Sequence, residues 1–469
     1  MRLRFFLSLT ILALWLCKPL SLNNPSDPKT DAFWKTVFLR CLLEDIDCIE
    51  VPQDNQGIKE WTKFLGATGS VLTASQSTAT DRSGNVYVVG TTTGSLAGQT
   101  KISPGTYNDI FIAKFDSNGN LLWVRQTGSP IIASTYAEVA HFDKWGDMYI
   151  VGSSGGPFND YTGTGAGSLL LKVHPSGIVL WTKIFPTGSE TLGSGVTTDS
   201  DGNVYITGNT EEQIINGETA LGGRNTFIFK YSRNGDFIWT RLIDNGGASS
   251  YGQQMQYDPH SKNILIAGQV GGSGTFLGNP LPGGTMNSYL LSINTNAIIQ
   301  WVRFLGVSGG TTSAKTLSVD KKGSVYITGD ANTDIDGQSK SGTIVQFLTR
   351  YNVLGEKIWT RLLGGGGSSN TFSYGIYADN ASHIYTVGSS NGYLPGVSLI
   401  GNQYSYLSKY DANGNLIWIR NSGSSGSTVY GRGISSDKFG TLYVSGSTDG
   451  SFDGQTKQGT NDAFIMKYR

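Results

Sequence analysis

Charge is scarce in this chain, and it cancels. Thirty-five Lys and Arg stand against thirty-five Asp and Glu in 469 residues, 15% charged in all. A neutral chain lacks the basic field that a nucleic-acid surface needs, so we expect no nucleic-acid partner. There are four histidines and three cysteines. Neither His-x-x-x-His nor Cys-x-x-Cys occurs, so zinc has no local signature and we expect no metal. The Gly-Lys-Ser/Thr end of a phosphate-binding loop is also missing. The longest apolar run, Phe5–Leu16, has 12 residues, too few to span a bilayer. Glycine, by contrast, is plentiful: 64 residues, about twice the usual share.

Arg2 and Arg4 precede the apolar run, and the two together read as an export signal. Cys17 ends the run, where a bacterial lipoprotein signal places its lipidated cysteine. Trp15 and Leu16 depart from the small residues usual there. Residues 1–17 are therefore expected to be a lipoprotein-like signal peptide with Cys17 lipidated. The alternative is a cysteine inside a discarded signal peptide. Residues 18–53 are expected to form a tether, "SLNNPSDPKT", and a short amphipathic helix. Trp34, Val37, Phe38, Cys41 and Leu42 fall on one helical face. Cys41 and Cys48 on one unbroken helix would lie about 10.5 Å apart, beyond the limit of about 7 Å for a disulfide. A bridge requires the helix to break near Glu44–Asp47, and both states stay open.

From residue 54 onward the chain repeats. Trp occurs at 61, 123, 181, 239, 301, 359 and 418, at successive spacings of 62, 58, 58, 62, 58 and 59. Four residues before each stands Gly, at 57, 119, 177, 235, 355 and 414, with Ala297 in the remaining copy. A fixed period of this size marks a repeat architecture. Three further segments recur in order. The first is rich in small residues, as in "TASQSTAT". An Asp-led turn follows, at Asp81, Asp143, Asp199, Asp258, Asp320, Asp379 and Asp437, and leads into "NVYVVG" and its copies. After a Gly-rich loop comes "NDIFIAKF" and its copies. Alternating β-branched and aromatic residues make these strands. Asp and Gly suit the tight turns between them, and Trp is expected to bury a large flat surface between neighbours.

Seven four-stranded meanders predict an all-β fold, a seven-bladed β-propeller over residues 54–469. The small-residue strand should lie nearest the axis and the Trp strand outermost. "GIKEWTKFLG" is a lone Trp strand at the start, and "DAFIMKYR" ends the chain without one. The first strand should therefore complete the last blade, which removes an open edge. The blocks "DRSGNVYVVG", "NDIFIAKFDSNGNLLW" and "TNDAFIMKYR" resemble the bacterial SBBP family, the seven-bladed β-propeller repeat. The resemblance covers about 54–469 and implies exported, often surface-located proteins of mostly unassigned function.

Motifs for chemistry are weak. His141, His174, His260 and His383 fall in or beside turns of different repeats and are expected on the surface. "GSSGG" places Ser154 in a Gly-x-Ser-x-Gly pattern but lacks the strand–turn–helix context of a nucleophile. "DSDGN" (Asp199–Asn203) lacks the spacing of a calcium loop. Three loops resemble one another and are candidate binding loops: Gln99 and Lys101; Asp336, Gln338 and Lys340; Asp453, Gln455 and Lys457. Shared ancestry of the blades plus a solvated turn is the preferred reading of them. Lys114, Lys172, Lys230, Lys409 and Lys467 recur, which points to a structural partner such as the Asp-led turn. The function expected is binding or scaffolding at the bacterial cell envelope. The protein would be exported, lipid-anchored at the outer membrane or cell surface, and would hold a protein or glycan without a cofactor. The rival is a propeller enzyme, polysaccharide-active or quinone-dependent, with its site at the channel mouth. Unlike, non-repeated polar residues converging on one mouth would separate the two.

Overall fold

The computed structural model describes residues 55–159, 166–186, 190–221, 223–243, 246–272 and 274–469. Cys17, Cys41 and Cys48 lie outside the described residues. So do the expected signal peptide, tether and helix.

Each tight turn is built by one side chain. The Asp81 carboxylate accepts the backbone N–H groups of Ser83 and Asn85, both at 2.9 Å, and Gly84 takes φ +80°. The same acceptor geometry recurs at Asp143, Asp199, Asp320, Asp379 and Asp437. The second tight turn of each blade but the last uses Asp116 or Asp411, or a substitute acceptor such as Ser232, Asn294 or Asn352. His174 fills the same role through Nδ1.

These turns close seven four-stranded antiparallel sheets. In the first blade the inner strand is Thr73–Thr80, followed outward by Val86–Thr92, Asp109–Phe115 and Leu121–Thr127. The last blade takes Val429–Ser436, Leu442–Thr448 and Asp462–Tyr468 from the end of the chain. Its outer strand is Lys59–Leu65, and Trp61 stands opposite Lys467. The ring is thus closed by the first strand, and the fold is a seven-bladed β-propeller. The tight turns, two in each blade but the last and one in that, lie on one face, the turn face. The long loops and the crossings between blades lie on the other, the loop face.

One cross-strand row repeats through the blades. Tyr87, Lys114 and Trp123 lie side by side in the first. The Tyr hydroxyl donates to the Asp of the turn, at 3.0 Å for Tyr87 and Asp81. Burial, and then the Asp81 charge, push the Tyr87 phenol up. The lysine does approach the turn, as expected, with Lys114 Nζ 3.4 Å from Asp81. It also reaches across to the next blade. Lys172, Lys230 and Lys467 donate to the carbonyls of Arg233, Thr295 and Ser117 at 3.2, 2.9 and 3.0 Å. The fourth blade departs as a unit: Leu265 and Ser292 replace Tyr and Lys. With no phenol to bind, Asp258 accepts the Ser261 hydroxyl at 2.6 Å.

Trp is the clasp between blades. A β-carbon added at Gly177 would sit 3.1 Å from the Trp123 ring, and one at Gly355 would sit 3.0 Å from Trp301. Six of the seven indoles therefore lie against a glycine of the neighbouring blade, and Trp239 packs in one cluster with Ala297 instead. Arg361 stacks on Trp359 and donates Nε to the Gly414 carbonyl at 3.0 Å. The Trp side chains are half-buried rather than enclosed, because the outer strand leaves one flank in water. At the inner strand the missing ladder partners are replaced by side chains, since an unpaired buried N–H is costly. Ser77, Thr197 and Ser318 accept the N–H groups of Ala140, Tyr257 and Ala378 on the next blade at 3.0–3.2 Å. This explains the small polar residues there. His141 corrects the surface expectation: it ends the inner strand Thr135–Phe142, with Nε2 3.1 Å from Thr198 Oγ1. Burial lowers it to about 4, against the pull of Asp143.

Ala297 occupies a glycine turn position at φ +67°. The left-handed region costs a non-glycine residue about 1–2 kcal/mol, and glycine's extra chain freedom returns about 0.5–1 of it. Ala297→Gly is therefore expected to stabilise the propeller by ~0.5–1 kcal/mol in denaturant unfolding. A loss of stability would contradict the strained-turn account.

Candidate functional site

The second strand of every blade carries a glycine with no room for a side chain. A β-carbon at Gly90 would lie 2.0 Å from the Ala74 carbonyl oxygen, and one at Gly329 would lie 2.0 Å from that of Ser313. The inner strand presses its backbone into that space. The pairing then slips by one residue, between Ser75 and Ser77 in the first blade. The extra residue forms a β-bulge, a device that re-aims a side chain. The same slip recurs in all seven blades.

The bulged residues are Gln76, Glu138, Ser194, Gln253, Lys315, Tyr374 and Arg432, one per blade. All seven line a single cavity of about 550 Å³ at the axis. Tyr136, Glu190, Leu192 and Asn209 also line it, and they place its opening on the loop face. The repeat builds one position seven times, and the sequence fills it with six different residue types. Unlike polar groups therefore converge on one mouth.

The mouth is electrically polarised. The Arg432 guanidinium lies over the Tyr374 ring, 4.1 Å from its centroid, and over Tyr430 at 5.5 Å. Lys315 lies one blade beyond Tyr374. Among the described residues neither Lys315 nor Arg432 forms an ion pair within 4 Å. Glu138 faces them from the second blade. Its carboxyl is reached by water along the channel yet walled by protein, and this burial lifts it to about 7 against the pull of Arg432. Asp330 lies behind the cations. Burial lifts it to about 6, opposed by the Ser373 N–H at 3.0 Å and by Lys315 and Arg432. Two cations, the Glu138 carboxyl and an aromatic face can bind a ligand that carries both hydroxyl and charged groups. The amides of Gln76, Gln253 and Asn209 supply donors and acceptors.

The candidate loops lie elsewhere. Asp336 accepts Lys357 Nζ and Thr360 Oγ1, both at 2.6 Å. Asp453 accepts Lys59 Nζ and Thr62 Oγ1 at 2.5 and 2.7 Å. Gln338 donates to the Thr360 carbonyl. Lys101, Lys340 and Lys457 turn onto the carbonyls of Gly105, Gly342 and Thr460 at 2.8, 2.8 and 3.1 Å. The backbone N–H groups of Gln99 and Gln455 close the turns onto Leu96 and Phe452. Each loop is tied to its own blade. Blades one and seven are neighbours, but blade six separates them from blade five, and none of the eight residues lines the mouth. Ser154 is buried and donates to the Gly156 carbonyl at 2.9 Å. Among the described residues no group of three or more His, Cys, Asp or Glu is placed to hold a metal.

Four segments, residues 60–97, 181–216, 300–336 and 358–394, match the SBBP beta-propeller repeat. The chain is an SBBP-repeat propeller. An uncharacterized WD repeat-containing protein of Acanthamoeba polyphaga mimivirus is 24% identical to it over 427 residues, 68% of this chain. The match spans only 30% of that protein's length. Among solved structures, the SBBP propeller is similar to a catalytically inactive virginiamycin B lyase from Staphylococcus aureus with quinupristin. That likeness has TM-score 0.48 and 10% identity, over 87% of this chain and 98% of that one. It is also similar to the polysaccharide lyase Uly1, with TM-score 0.46 and 10% identity, over 84% and 90%.

The raised Glu138 pKa has a signed consequence. A carboxyl with a folded pKa near 7 and an ordinary value of 4.5 binds its proton more tightly in the folded state. Its stabilising contribution is complete below about pH 4.5 and is lost as pH rises through 7. His141, lowered to about 4, acts in the opposite sense over part of that window. The comparison must therefore be with Glu138→Gln. That variant should gain stability relative to wild type as pH rises from 4.5 to 7 in thermal unfolding. A constant difference would show that Glu138 keeps an ordinary pKa.

Proposed function

We propose that this SBBP propeller is a binding protein of the bacterial cell envelope and takes its ligand at the loop-face mouth of the channel. The carrying observation is the ring of seven bulge residues of six types. A structural role would favour one residue type at seven equivalent positions, as it does for the turn Asp and the clasp Trp. A site for one ligand requires them to differ, so the ring supports a site at the mouth in the binding and the enzyme readings alike. The partner is a protein or glycan segment narrow enough for a cavity of about 550 Å³. Export and a lipid on Cys17 would hold the propeller at the outer membrane or cell surface.

A second reading, an enzyme at the same mouth, is favoured by one observation. Glu138 is held near pH 7, where a general acid or base works best, in the cavity that Tyr374 and Arg432 also line.

Arrays of acidic and neutral glycans and of peptides would test the proposal. Wild type should bind one class. The double variant Lys315→Ala/Arg432→Ala should lose at least about tenfold in affinity, the scale of one desolvated charged contact. Glu138→Gln should keep binding in either reading and abolish turnover only if the mouth is catalytic. Binding unchanged in the double variant would move the ligand away from the mouth.

A further inference from the structure

A second ring of bulges runs round the outside of the molecule. In each outer strand the pairing slips at the residue before Trp, between Lys114/Trp123 and Phe115/Leu121 in the first blade. The residues set free are Leu122, Leu180, Ile238, Gln300, Ile358, Ile417 and Glu60. Five of the seven are aliphatic, and those five stand 45–52% exposed. The exception in the last blade has its own partner, since Glu60 takes Lys467 Nζ at 2.8 Å. A bulged side chain that points into water needs no apolar character for folding. At the inner slip the same seven repeats hold six residue types, whereas the outer slip keeps an aliphatic residue in five of seven.

The aliphatics lie close to the turn face. They are within two residues of the second tight turn, about 7 Å along the strand. That turn adds exposed apolar groups in several blades, among them Ile178, Ile298 and Leu354. The first tight turns carry exposed Trp145 and Phe439 beside Lys144 and Lys438. Their tips also hold Arg82, Lys262, Lys321 and Lys322 against Asp201, while the second turns on the same face carry Asp116, Asp236, Glu356 and Asp411. The described chain enters the propeller on this same face. Asn55 donates to the carbonyls of Gly440, in the last blade's first turn, and Tyr468, at 3.2 and 3.1 Å. Thirty-eight residues separate it from Cys17.

We infer that the turn-face rim seats on a lipid surface and thereby points the channel mouth away from the membrane. An apolar fringe with basic and aromatic tips matches the boundary between headgroups and acyl chains, where apolar faces enter about 5–10 Å. The inference rests on the envelope reading above and assigns its orientation.

The test is hydroxyl-radical footprinting of the full chain, free and on vesicles of phosphatidylethanolamine and phosphatidylglycerol, with flotation measured in parallel. Leu180, Ile238, Trp145 and Phe439 should be oxidised at least about threefold more slowly on vesicles. Ile132, Leu221 and Tyr393 on the loop face should not change. A variant with Leu180, Ile238, Ile358 and Ile417 all replaced by Ser should keep its thermal midpoint and lose the protection of Trp145. A chain that does not float contradicts both the anchored reading and the inference. A chain that floats with the loop face protected, or with neither face protected, keeps the anchor and overturns the inference. Rim protection without vesicles, with self-association that the four-serine variant abolishes, would assign the rim to a second copy of the chain.

Discussion

Much of this molecule depends on a missing side chain. The glycine within each second strand leaves a gap, and the neighbouring inner-strand carbonyl fills it. For Gly208 and Gly446 a β-carbon would meet that oxygen at 1.8 Å. Backbone cannot be pushed aside as the end of a flexible side chain can. The approach is what allows the inner strand to slip by one residue. The slip in turn aims one side chain per blade into the channel. Packing, register and the chemistry of the mouth are thus linked through one steric constraint.

The propeller separates constant parts from variable ones with little cross-talk. Asp in the turn, Tyr beside it and Trp on the next blade's glycine are short-range devices that work the same way in each copy. Where one fails, its partners change with it, as Leu265, Ser292 and the Ser261–Asp258 bond show in the fourth blade. The bulged residues pack against few neighbours, so they can vary without disturbing the ladder. Inside, that freedom has produced Glu138, Lys315, Tyr374 and Arg432 in one cavity. Outside, it has produced an aliphatic fringe.

The ring itself was legible in the sequence because its causes are local. Asp-to-Gly turns, alternating strands and the lone Trp strand at the start all act within a few residues. Spacing alone does not reveal that an outer strand has only one neighbour, which leaves one flank of each Trp ring in water. His141 was misplaced for a similar reason: it lies beside a turn in sequence but at the end of an inner strand in space. The mouth was missed, although it left a trace. When the inner strands are aligned, the third residue is always small (Ser75, Ala137, Gly193, Gly252, Ala314, Ser373, Gly431), and the fourth differs almost every time. That column reads as noise until a bulge shows that its members share a cavity. The three similar loops drew attention instead, because likeness is easier to see than a patterned difference.

The central claim is that the second-strand glycine permits the bulge. The unfolding free energy of Gly329→Ala tests it most directly, because the position lies in regular strand and a β-carbon there would meet inner-strand backbone, the Ser313 carbonyl at 2.0 Å and the Ala314 Cα at 2.8 Å. The account expects a loss of at least about 2 kcal/mol, in the range of core overpacking. A variant within about 0.5 kcal/mol of wild type would mean that the inner strand does not need that space, and the origin assigned to the channel mouth would be wrong.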